Sequence, residues 1–139
     1  AGEEQDEAGF MEEEFLERLR QSVDLEGGER REEFSRVIKL YKEYLSGKYS
    51  IPAREAATSE ISVYLRDCGM DEKSAEKSSA LFEKADQILF SGAEPGPADL
   101  EESCLFVETQ LQRELAEQEK KAEAAEMKPK KKFGFSKRS

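Results

Sequence analysis

Apolar residues recur at three- and four-residue spacing through most of the chain, and each stripe stops where glycine, proline or a polar run interrupts it. Met11, Phe15, Leu16, Leu19 and Val23 predict a first helix over residues 10–23, which ends in the turn Asp24-Leu25-Glu26-Gly27-Gly28. A longer helix is predicted from Glu29 to Gly47, with Phe34, Val37, Ile38, Tyr41, Tyr44 and Leu45 on one face and Ser46-Gly47 at its end. Pro52 disfavours helix at Ile51, so Tyr49-Ser50-Ile51-Pro52 is read as extended, with Ile51 plugging the core. Thr58 or Ser59 is placed to cap a short third helix through Ile61, Tyr64, Leu65 and Cys68, stopped by Gly69.

Asp71 is the expected cap of a fourth helix carrying Ala75, Ser78, Leu81, Phe82, Ala85, Ile88 and Leu89. A connector rich in glycine and proline follows, and Pro97 suits the first turn of a fifth helix with Leu100, Cys104, Val107, Leu111 and Leu115. Beyond Leu115 the apolar face disappears, which predicts a helix end that projects into solvent and frays toward Met127. No strand pattern competes. The expected fold is all-α: a compact bundle of four to five helices over residues 10–116, a disordered acidic N-terminus over 1–9, and a fraying helix end with a basic tail over 117–139.

Composition narrows the chemistry. Charged residues make up 39% of the chain and there is no Trp, so the core is expected to be modest and the ends heavily solvated. Histidine is absent, which removes the usual general base, the His-paired nucleophile and every His-containing metal site. Cys68 and Cys104 form no CxxC and are read as small buried hydrophobes. Asp24 does not open a calcium loop, because Glu29 stands where a glycine is needed and Ser35 where a glutamate is needed. Gly27-Gly28 lacks the Lys-Ser/Thr of a phosphate cradle. Runs such as Glu12-Glu13-Glu14 cannot converge on one ligand, since neighbouring helical residues point about 100° apart. These absences point to a non-enzymatic chain without catalytic, metal or cofactor-binding residues. No apolar run is long enough to span a bilayer, and the opening Ala1-Gly2 without Met hints at a processed or excised piece, which leaves room for a neighbouring targeting or membrane segment.

Two features call for an explanation. Phe82, Asp86 and Phe90 stand at four-residue intervals, which sets a carboxylate between two aromatic rings. A structural clamp is expected there, with Asp86 bonded to backbone N–H groups near Thr58 or to the hydroxyl of Tyr44 or Tyr64. The second is charge segregation: residues 128–139 hold six bases and no acid, against 16 bases and 32 acids before them. Lys130, Lys131, Lys132, Phe133, Phe135, Lys137 and Arg138 suit an anionic lipid surface or an acidic protein surface, or equally a solubilising end with no single partner. No nucleic acid is expected, because the acidic body repels phosphate.

From Glu33 to Gln112 the chain resembles the cytoplasmic helical domain of BatD-type bacterial membrane proteins, which accompany MoxR ATPases and von Willebrand A-domain proteins. The resemblance is carried by Tyr44-Leu45, then Ile51-Pro52, then Thr58-Ser59-Glu60-Ile61, then Leu81-Phe82-Glu83-Lys84-Ala85-Asp86 with Ile88 and Phe90, and a proline-containing link to a last helix. Family members often have a basic residue where this chain has Leu89. The resemblance implies a non-catalytic interaction domain on the cytoplasmic side of the inner membrane, working with a MoxR-type ATPase or von Willebrand A-domain partner in envelope stress or aerotolerance. The alternative is a free-standing peripheral membrane or adaptor protein whose basic tail binds anionic lipid.

Overall fold

The computed structural model describes residues 10–26 and 29–138, with side chains described through residue 125. The expected disorder of 1–9 and the side chains of the tail lie outside that range. Five helices and no strand are found among the described residues: α1 (Met11–Ser22), α2 (Arg30–Tyr49), α3 (Thr58–Asp67), α4 (Glu72–Ser91) and α5 (Pro97–Arg138).

The predicted stripes form the core. Phe34, Val37, Ile38, Tyr41, Tyr44 and Leu45 are all buried, and Leu40 widens that face at its edge beside Tyr44. This broad buried face makes α2 the central helix, packed against α1, α5 and α4, while α5 also packs on α1 and α3 leans chiefly on α4. Tyr41 occupies the junction of these layers. Its ring stacks on Phe82 at 5.7 Å, meets Phe106 edge-on at 5.9 Å, and its hydroxyl lies 2.7 Å from that of Ser78 on α4. Ile51 is buried, as the proline after it led us to expect.

Helix ends depart from the sequence reading in three places, the first being α5, which stays helical to Arg138 where the sequence predicts fraying toward Met127. Gly47 lies inside α2, which runs on to Tyr49 and closes with Ser50 in the left-handed conformation at φ 57°. A Cβ at residue 47 would lie 3.2 Å from the Met11 methyl of α1, the flexible end of a side chain, so the position tolerates helix without ending it. Thr58 and Ser59 do not cap α3 either. The cap position is Ala57, whose N–H donates to the Glu60 carboxylate at 3.0 Å, so the third residue of the helix reaches back where no capping side chain exists.

The other ends follow expectation. Asp71 accepts from the Ser74 N–H at 3.0 Å, Gly69 and Gly92 take positive φ, and Pro97 opens α5 with Asp99 bonded to the Gly96 N–H at 2.9 Å. Two arginines of α2 tie down the connector between α4 and α5. Arg30 donates to the Pro95 carbonyl at 3.0 Å, and Arg31 donates to the Ala93 carbonyl at 2.8 Å and to that of Leu89. Cations are thereby set against the open carbonyl end of α4.

Candidate functional site

Two places in the molecule gather polar groups, and they differ in kind. The first is a seam where α1, α2 and α5 meet. Glu12 on α1 is only 1% exposed, although it belongs to a run of three glutamates. Its Oε2 accepts from Lys48 Nζ at 2.5 Å and from the Tyr44 hydroxyl at 2.7 Å. Glu114 on α5 faces the same Tyr44 hydroxyl, lies 3.7 Å from Lys48 Nζ, and also accepts from Tyr49 at 3.0 Å and Gln110 at 2.7 Å.

Burial alone would raise the Glu12 carboxyl, but the Lys48 ammonium and the Tyr44 hydroxyl outweigh it and hold the group below the usual glutamate value. Burial and the neighbouring Glu114 carboxylate push Tyr44 and Tyr49 far above the ordinary phenol range, so both remain neutral donors. Two carboxylates and one ammonium leave the seam one negative charge in excess, spread over three helices. With donors on both acids, the arrangement locks helices together.

The second place is the outer face of the α3/α4 hairpin. A groove of about 510 Å³ runs between the two helices, floored by Ser62, Ala75, Ser79 and Ala80 and edged by Arg66, Glu72, Glu76 and Glu83. A shallower hollow continues it past Glu83 to Asp86 and the start of α3 at Ala57, Thr58 and Ser59. Just beyond, Phe90 is 84% exposed, more than any other large apolar side chain described. None of Glu72, Glu76, Glu83 and Asp86 makes a hydrogen bond or ion pair among the described residues. On the neighbouring flank of α4, by contrast, Lys84 is paired with Asp99 at 3.1 Å.

The clamp expected around Asp86 is therefore not what the structure builds. Asp86 does face the start of α3 across the hollow, beside Thr58, but it is half-buried and bonds neither Thr58 nor a tyrosine. Tyr44 is committed to the seam, and Tyr64 is 36% exposed on α3. The reason is geometric. Steps of four residues rotate by about 40° each, so a row that begins with Phe82 in the core has turned out to solvent by Phe90.

Cys68 and Cys104 are half-buried and unpaired, and burial raises the Cys104 thiol, which suits an inert side chain. No group of three or more potential metal ligands occurs among the described residues. No helix among them is long and apolar enough to cross a membrane. The basic tail residues Lys130, Lys131, Lys132, Phe133, Phe135, Lys137 and Arg138 lie outside the residues whose side chains are described. The chain matches no family model, no curated protein and no solved structure.

Proposed function

We infer that this chain is a non-catalytic interaction domain, and that the outer face of the α3/α4 hairpin is where it receives a basic protein surface. The single observation that carries the reading is the groove beside four unpaired carboxylates, with an exposed Phe90 at its far end. Exposed apolar and unpaired charged groups in one stripe give a partner both desolvation and electrostatic steering. The seam contributes rigidity to the scaffold behind that face. The order of short motifs from Tyr44 to Phe90 supports a BatD-type setting at the cytoplasmic face of a bacterial inner membrane, with a MoxR-type ATPase or von Willebrand A-domain protein as the partner.

Titration calorimetry of the full chain against the MoxR-type ATPase of the same cell tests this directly. Binding is expected to weaken at least tenfold in the double variant Glu76→Lys/Glu83→Lys; absence of heat with the unaltered chain, or equal affinity of the variant, removes the reading. A second reading, attachment to anionic lipid, is supported by Phe133 and Phe135 set among six cations. Co-sedimentation with anionic vesicles should fall when Lys130, Lys131 and Lys132 are changed together to Gln, and unchanged sedimentation would dismiss it.

A further inference from the structure

We propose that the α3/α4 groove is the intramolecular docking site of the chain's own basic segment, Lys128 to Arg138, an inference that rests on the reading of this hairpin face as a docking surface. Glu72, Glu76, Ser79, Glu83, Asp86 and Phe90 fall within an arc of about 80° on α4, so acids and ring form one stripe ending in an aromatic group. The tail repeats that order with opposite charge: Lys128, Lys130, Lys131 and Lys132 come first, then Phe133 and Phe135.

Lengths match as well. From Glu72 to Phe90 is eighteen residues of helix, about 27 Å. From Lys128 to Phe135 an extended chain covers about 23 to 25 Å. Such a segment lays its cations along the carboxylates and brings its rings to Phe90.

Reach is short. α5 passes the turn before α4, where Glu117 and Lys121 share a cavity of about 270 Å³ with Met70, Asp71 and Ser74. Met70 also lines the near end of the groove, so the two cavities meet there. Only six residues lie between Lys121 and Lys128. α5 is helical to Arg138, and docking takes the chain out of that helix ahead of Lys128, in the turn weakened by Pro129, which has no N–H to donate and whose ring opposes the Ala125 carbonyl. A linker this short supplies an effective concentration in the millimolar range, which favours the chain's own tail over a second copy. While docked, the cations and rings are withheld from other acidic surfaces.

The test compares amide NMR spectra of the full chain with those of the full-length variant Lys130→Gln/Lys131→Gln/Lys132→Gln. Shifts are expected at Ser62, Glu76, Ser79, Glu83 and Phe90, to be reproduced in the unaltered chain at 0.5 M salt, where screening shortens to a few ångströms, and to persist unchanged on twentyfold dilution. The full-length variant Glu76→Lys/Glu83→Lys, whose changes lie on exposed positions, should show the same loss with unaltered helical circular dichroism. Shifts confined to the substituted tail, shifts on another face, or shifts that vanish on dilution would overturn the proposal. Partner binding by the groove would survive that result, so the two readings fail separately.

Discussion

The seam of α1, α2 and α5 and the groove of α3 and α4 both hold carboxylates on helices, yet one is closed and the other open. In the seam, each acid lies within reach of Lys48 and a phenol, and Glu12 has lost almost all contact with water. On the hairpin, four acids line up without an ion pair among the described residues, although Arg66 shares the groove, and all but the half-buried Asp86 are exposed. Buried charge is tolerated only where donors converge, so the seam fixes geometry. Repelling surface charge adds no stability, which leaves the groove free to serve recognition.

The largest effect should come from the seam. Tyr44→Ala removes a fully buried ring together with the hydroxyl shared by Glu12 and Glu114, and is expected to cost about 3–5 kcal/mol in urea unfolding. Tyr44→Phe keeps the ring and should cost about 1–3 kcal/mol, since only the hydrogen bonds go. Equal stability of Tyr44→Phe and the parent chain would show that packing alone holds the three helices.

Acid should act on the same place. The Glu12 carboxyl lies below its usual value in the folded chain, so its contribution is complete above about pH 4.5 and is lost as the pH falls from there through the folded value. Thermal melts between pH 7 and pH 3 are expected to show this loss, and Glu12→Gln should be less stable at neutral pH and flatter below pH 5. A profile of identical shape in the variant would assign the acid sensitivity elsewhere.

Gly47→Ala should move stability the other way. It replaces a helix-interior glycine, worth up to about 1 kcal/mol, and the atom in its path is the flexible end of the half-exposed Met11 side chain. Smallest of all, Glu76→Gln and Glu83→Gln should each change stability by no more than about 0.5 kcal/mol, because both are exposed and unpaired. A larger loss from either would give the groove a structural duty and blur the contrast with the seam.

Much of the fold was legible in the stripes, because burial of one helical face is a local, periodic demand. The helix ends were legible where glycine, proline or an aspartate cap dictated them, and misread at Gly47, which the helix runs through to Tyr49, and at Ala57, whose N–H is satisfied by Glu60 in the third position of the helix. The seam was not read from the sequence, since Glu12 stands in an acidic run and looks like solvated surface. A signal existed nonetheless: Glu12 precedes Phe15, Leu16 and Leu19 by three, four and seven residues, and Glu114 follows Leu111 and Val107 by three and seven. Lys48 follows Tyr44 and Tyr41 in the same way. Each charged residue extends an apolar stripe by one turn. Which three would meet depends on the crossing of α1, α2 and α5, a non-local property that no single stripe contains. Asp86 shows the converse error, since an even four-residue spacing drifts off the core.

Tyr41 joins the two halves. One phenol touches Ser78 and Phe82 on the hairpin and Phe106 on α5, and lies over Tyr44 at 6.2 Å. A partner that levers α4 away from α2 must first part that hydroxyl pair, and in doing so it slackens the ring stacked on the seam's own tyrosine. Parting of the outer face is thus felt at the rings beside the charged seam, which makes residue 41 the natural position for a reporter of engagement.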